Sequence, residues 1–272
     1  MNKVFNGCFL FGWLVLLAFS PLSSSHAQLG RDAFTLALFN FDLSSVKVVK
    51  NEAGDAKLDG ELKGDAKVVA GAGKVGGGLV LDGDGDYMRV GNFGNPPEGT
   101  VELWFKVPHV KPSPKSDAPG VVWNLTDMGK EYGQKFSSPA YLGTHTGIAA
   151  PNLWFGLWTG KWEVADSEVD AKTLVGDWHH VAGTWGKRGI EIFIDGTLKA
   201  TNKNYTGALP EPGYAAWHIG SGSWRADMEG VIDGVRLSNK QRTAEALLLT
   251  LAVSPKSKLA VSWGQIKERH KR

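Results

Sequence analysis

Gly99-Thr100-Val101-Glu102-Leu103-Trp104-Phe105-Lys106 is the stretch on which the fold turns. Val101, Leu103 and Phe105, continued by Val107, are apolar, and Thr100, Glu102, Trp104 and Lys106 fall between them. A period of two is that of a strand whose successive side chains point to opposite faces, so a half-buried strand is expected. The same period recurs where Ile190, Ile192 and Ile194 alternate with Glu191 and Phe193. Asp195-Gly196 follows, a dipeptide that accepts left-handed backbone, and a tight hairpin into residues 197–200 is expected. Further strands are predicted at 34–41, 79–81, 87–90, 121–125, 153–158, 178–185, 217–219 and 231–237, with a single helix at 243–251. Residues 71–78 and 111–119 read as loops, the first rich in glycine and the second in proline. Many short strands without alternating helices make the chain all-β, with two antiparallel sheets packed face to face.

Composition agrees with that class. The 272 residues include 35 glycines and 11 tryptophans, and 42% are hydrophobic, which is the aromatic mass of a folded, turn-rich chain. The 30 basic side chains nearly balance 28 acidic ones, leaving a net charge of +2 and no electrostatic footprint for nucleic acid. Residues 9–19 (FLFGWLVLLAF) form an apolar run after Lys3 and before a small, polar stretch. A membrane span needs about 20 apolar residues, so this is the layout of a cleavable signal peptide over 1–27 rather than of an anchor. Ser25-His26-Ala27 puts small residues where a signal peptidase reads them, and the cut is expected between Ala27 and Gln28. Cys8, the only cysteine, lies inside that segment, so disulfides and thiol chemistry are excluded from the mature chain. One domain over 28–250 and a tail over 251–272 follow, and export to the cell surface or medium is expected.

Three segments in order, residues 77–87 (GGLVLDGDGDY), 99–106 (GTVELWFK) and 177–184 (DWHHVAGT), resemble the laminin-G-like jelly rolls of the concanavalin A-like lectin/glucanase superfamily. Residues 192–197 (IFIDGT), 217–220 and 230–237 (GVIDGVRL) continue the pattern. The resemblance implies a concanavalin A-like jelly-roll sandwich and an extracellular module that binds a glycan or a protein, often with calcium. It also implies where calcium is held, by main-chain carbonyls with carboxylates near the first strand and in the closing strand. Those positions are Asp42 and Asp233. On the residues alone, Asp233 shares a strand face with Val231, Val235 and Leu237, where a carboxylate is costly unless paired or metal-bound. Asn40 and Asp42 continue the face of Leu36 and Leu38, and an all-oxygen set suits calcium. Two readings stay open at Asp233: a structural calcium shared with Asp42, or an ion pair with Arg236 or a turn cap.

Other constellations carry less. Residues 82–86 (DGDGD) lack the glycine and glutamate that an EF-hand needs, since Tyr87 and Phe93 stand there, and a hairpin turn with solvated aspartates is expected. Gly71-Ala72-Gly73-Lys74-Val75-Gly76 matches a dinucleotide-binding pattern, but a strand follows it instead of a helix. His179 and His180 are adjacent on a strand and point to opposite faces, as structural histidines do. The segment 153–164 (LWFGLWTGKWEV) is the most ligand-like: Trp154 and Trp158 fall on one face, and a turn at 159–161 brings Trp158 to Trp162. Trp224 in a Gly-Ser loop is a further aromatic candidate. Core packing of these tryptophans is the competing reading. Asn124-Leu125-Thr126 and Asn204-Tyr205-Thr206 fit the glycosylation acceptor pattern. Glycoside hydrolysis needs two carboxylates about 5 to 9 Å apart, and no strand carries such a pair. Glu102 stands alone on its face, and no cluster of Arg, His and Tyr suited to a lyase is visible. Non-catalytic binding is therefore expected, with a polysaccharide hydrolase or lyase and a structural, adhesive surface protein as the alternatives.

Overall fold

The computed structural model describes residues 28–43, 46–109, 124–129, 140–144, 152–210, 216–221 and 227–251. Among them, sixteen strands form two antiparallel sheets. In chain order they are β1 (Thr35–Phe39), β2 (Val48–Val49), β3 (Gly60–Lys63), β4 (Lys67–Val69), β5 (Gly78–Asp82), β6 (Tyr87–Gly91), β7 (Gly99–Lys106) and β8 (Asn124–Gly129). β9 (Ala140–Thr144), β10 (Asn152–Trp158), β11 (Trp162–Asp170), β12 (His179–Trp185), β13 (Ile190–Ile194), β14 (Thr197–Asn202), β15 (Ala216–Ile219) and β16 (Glu229–Ser238) complete the set, and α1 (Ala244–Leu251) is the one α-helix described. The first sheet runs β14-β13-β12-β7-β16-β5-β4, with β1 against the far half of β16. The second runs β11-β10-β9-β8-β15-β6-β3-β2. Strands far apart in sequence lie side by side, as a jelly roll requires.

The core lies between the sheets. Val101, Leu103 and Phe105 of β7, Ile190, Ile192 and Ile194 of β13, and Leu153, Phe155 and Leu157 of β10 all face into it. Burying each such side chain is worth roughly 1.5 to 3 kcal/mol. Gly183 of β12 faces the Phe155 ring across the sandwich, and a Cβ there would collide with it. Asn202 Nδ2 on β14 donates to the Val164 carbonyl of β11 at 3.0 Å and ties one long side of the two sheets together. Asp195 and Gly196 take φ of 51° and 73°, and the expected hairpin between β13 and β14 is present.

Three expectations need correction. The first half of β7 is buried on both faces, because Thr100 and Glu102 on its outer face are covered as completely as the inward side chains, while Trp104 is half-buried and Lys106 exposed. Residues 28–32 and the segment after β16 lie over that face: Arg236 Nη1 donates to the Gly30 carbonyl at 2.7 Å, and Leu247 of α1 packs on Ala182 and Phe193. Asp233 does not share a face with Val235 and Leu237. β16 carries a bulge between Asp233 and Arg236, with Gly234 at φ 54°, so Ile232, Val235 and Leu237 point into the core and Asp233 and Arg236 point away. Residues 82–86 do not close a hairpin, since β5 and β6 belong to different sheets and the segment crosses between them. Asp82 and Asp84 are exposed there, but Asp86 is buried and accepts from the backbone N–H of Asp82 (2.8 Å) and Gly83 (3.3 Å). Burial, with the charges of Asp82 and Asp65, pushes the Asp86 carboxyl up to about 6.

Candidate functional site

β10 and β11 form a hairpin in which Trp158 and Trp162 are direct cross-strand partners, and Thr159 N donates to the Lys161 carbonyl at 2.9 Å to close it. Partners in register share a face, here the one turned away from the core. The Trp158 and Trp162 ring centroids are 5.6 Å apart with planes at 71°, an edge-to-face contact at the hairpin tip. Trp154, four residues before Trp158, stacks on Tyr141 of β9 at 4.8 Å and 28°, and meets Trp162 edge-on at 5.3 Å. Trp154 and Tyr141 are buried, whereas Trp158 is 42% exposed. Trp154 is therefore a foundation, Trp162 is half-buried against it, and Trp158 is the exposed ring at the tip. Gly156 makes the stack possible, because a Cβ there would stand 2.5 Å from Cζ3 of Trp154 and 3.1 Å from Cγ2 of Val164. The structure thus unites Trp154, Trp158 and Trp162. Trp224 lies outside the described residues.

Beside this corner runs a polar row that sequence reasoning missed. Arg89 of β6 is paired with His218 of β15, His218 with Asp127 of β8, and Asp127 with Tyr141 of β9, all on the outer face of the second sheet. Tyr87 meets the His218 ring edge-on at 5.3 Å. An Arg, His and Tyr cluster therefore does assemble on neighbouring strands, contrary to expectation. Asp127 and His218 are fully buried, and the Tyr141 hydroxyl donates to the Thr144 carbonyl at 2.9 Å. Burial, then the Asp127 charge, pushes the Tyr141 phenol far above its usual range. The period of two places Arg89, His218 and Tyr141 outward, but β8 has an irregularity between Asn124 and Thr126 that breaks it before Asp127, and the order β6-β15-β8-β9 that makes these residues neighbours is not written in any one segment.

On the outer face of the first sheet, the loop between β4 and β5 folds over Asp233. Its carboxylate accepts from the backbone N–H of Val75 at 3.0 Å and Gly234 at 2.7 Å, and from that of Lys74. Three donors leave about one of its four lone-pair sites. Burial raises Asp233 to about 6, and the neighbouring Asp42 charge adds to the rise. Asp42 follows Phe41, whose left-handed φ of 55° turns the chain out of the strand face expected for it. A Cβ on Gly73 would lie 2.8 Å from Asp233 Oδ2, one on Gly76 would strike Asp42 Oδ1, and one on Gly77 would strike the Phe41 carbonyl oxygen. The glycines of this loop thus lie against oxygens of Asp233, Asp42 and Phe41, and the Asp42 charge reaches Asp233. That all-oxygen donor set fits a hard cation such as calcium. Asp233 has no pairing with Arg236, which belongs to Glu102.

Glu102 is the centre of a sealed charge cluster on the outer face of β7. Arg236 Nε and Nη2 donate to its Oε1 at 2.8 and 2.6 Å, His180 Nε2 lies 3.1 Å from its Oε2, and Arg242 Nε lies 3.5 Å away. Burial alone would raise this carboxyl, but the Arg236 charge and the His180 hydrogen bond outweigh it and hold it at about 2. His179 faces the other way and pairs with Asp195 at 2.9 Å. Both histidines have structural partners, as expected, and Glu102 is far from solitary.

The family described as the concanavalin A-like lectin/glucanases superfamily, of laminin-G type, matches residues 82–247. No curated protein matches the sequence. Among solved structures, domain 4 of AbnA, a GH43 extracellular arabinanase from Geobacillus stearothermophilus in complex with arabinotriose, is similar at TM-score 0.61 and 17% identity, over 82% of this chain and all of that one. The binding domain of Paraclostridial Mosquitocidal Protein 1 is similar at TM-score 0.59 and 14% identity, over 80% of this chain and 52% of that one. Trypanosoma rangeli sialidase in complex with the inhibitor DANA is similar at TM-score 0.56 and 14% identity, over 82% of this chain but only 33% of that one. At such identities the likeness is one of fold, which hosts binding modules and glycosidases alike. No helix among the described residues is long and apolar enough to cross a membrane.

Proposed function

The chain belongs to the concanavalin A-like lectin/glucanases superfamily, and from that premise we propose that it is an exported, non-catalytic recognition module that binds an extracellular glycan at the Trp158–Trp162 corner. The observation that carries this reading is the exposed Trp158 ring set at 71° to Trp162 on a buried Trp154–Tyr141 base. Sugar rings present C–H faces that pack on indole, and a rigid base limits the entropy lost when they do. The arabinotriose complex of the similar arabinanase domain supports an oligosaccharide as the ligand class. A calcium ion at Asp42, Asp233 and the Phe41 carbonyl would brace the loop between β4 and β5 without taking part in sugar contact. The apolar run at 9–19 and the small residues before Gln28 support the export reading.

A catalytic reading is favoured by one observation, the Arg89–His218–Asp127–Tyr141 row. Against it, Asp127 and His218 are sealed from solvent, and a phenol pushed upward by burial resists becoming the base a lyase needs. The test is isothermal titration with arabinotriose and a panel of other oligosaccharides, each followed by mass analysis of the sugar. Saturable binding with the sugar intact supports the proposal. Cleaved or unsaturated products would replace it with the catalytic reading.

A further inference from the structure

Residues 28–32 are fixed almost one by one on the outer face of the first sheet. Leu29 is buried and its carbonyl accepts from Asn40 Nδ2 at 3.4 Å; the Gly30 carbonyl is held by Arg236; Asp32 pairs with Arg242 at 2.7 Å. Gln28, just before them, is exposed, and its side-chain Nε2 donates to Asp42 Oδ2 at 2.8 Å. That amide occupies an oxygen of the cradle that Asp42 shares with Asp233. The expected cut after Ala27 makes Gln28 the first residue, directly before the buried Leu29.

We propose that Gln28, once exposed as the amino terminus, closes to pyroglutamate, and that loss of its amide clears Asp42 for a cation. The α-amine lone pair attacks the side-chain Cδ, a five-membered lactam forms, and the Cδ–Nε2 bond breaks. Nε2 leaves as ammonia, carrying the proton that the amine gives up, so the step needs no oxidant or co-reactant. Two changes follow at the cradle. The N–H donor to Asp42 Oδ2 is gone, and the positive α-ammonium that Gln28 would otherwise carry becomes a neutral lactam nitrogen. A carboxylate relieved of a donor and of a nearby positive charge is a better calcium ligand.

This inference rests on the export reading, and the experiment separates the two. The full-length chain is produced in an exporting host, and the mature protein is measured by intact mass and by sequencing of its first peptide. The expected result is a peptide that starts at residue 28, is blocked to amine-reactive sequencing and is lighter by one ammonia than the linear form. A start at residue 28 with a free amine overturns the cyclisation and leaves the export reading standing. A chain that keeps residues 1–27 overturns both, and a cut at any other position overturns the cyclisation alone. The link to the cradle is tested by titrating calcium chloride into the mature protein and into Gln28→Asn, which keeps a side-chain amide and a free α-amine but cannot close the five-membered ring. Calcium binding at least several-fold weaker in the variant supports the link, whereas equal affinity, or no binding by either protein, overturns it.

Discussion

If the cradle takes calcium as proposed, the ion should stabilise the fold by an amount that fades in acid. The Asp233 carboxyl sits at about 6 in the folded chain against an ordinary 3.8. Because the folded state holds this proton more tightly, apo stability falls as pH rises from about 3.8 through about 6, by roughly 3 kcal/mol, and is flat above that. Calcium takes only the ionised carboxylate, so the proton competes with it below pH 6. At a calcium concentration about 100 times Kd, stabilisation at pH 7.5 is about 2.7 kcal/mol. For a domain of this size, that raises the melting temperature by about 5 to 10 °C. At pH 5 and the same calcium, about tenfold weaker binding leaves roughly half of the effect. The assay is a thermal melt of the mature protein with calcium or chelator at both pH values, beside Asp233→Asn, which should show no calcium shift at either. A wild-type shift equal at pH 5 and 7.5, absent at pH 7.5, or retained in Asp233→Asn would refute the reasoning.

Glu102→Gln leaves the buried Arg236 charge without its partner and should cost about 3 to 5 kcal/mol in urea unfolding. Wild-type stability should also fall as pH drops from 4.5 toward 2, the window set by a carboxyl held at about 2 in the folded chain, and a variant that still folds should lack that part of the acid limb. Gly156→Ala places a Cβ against the Trp154 ring, so it should cost roughly 1 to 3 kcal/mol and change the near-ultraviolet circular dichroism of the Trp154–Tyr141 stack; an unchanged spectrum and melt would mean that the notch is unimportant.

The period of two from Gly99 to Lys106, the Asp195-Gly196 turn and the Trp158–Trp162 hairpin were all legible in the sequence, because each is decided by residues within a few positions of one another. The faces of β16 were not, since a single bulge at Gly234 inverts the alternation and leaves Asp233 outside the apolar stripe. The burial of Glu102 was hidden for a different reason: its partners, Arg236 and Arg242, come from far along the chain, and the cover over it comes from residues 28–32. The Arg89–His218–Asp127–Tyr141 row depends wholly on strand order. Asp42 and Asp233 came from a family resemblance, and the structure adds the glycine loop that joins them.

Glycan recognition at the hairpin tip is the central claim, and an array of diverse glycans probed with the mature protein, Trp158→Ala and Trp162→Ala tests it most directly. The wild type should bind a discrete set of structures, and each variant, with its melt unchanged, should lose at least about tenfold in affinity for that set, roughly 1.4 kcal/mol or more. Binding that survives both substitutions at full strength, or a wild type that binds no glycan on the array, would contradict it.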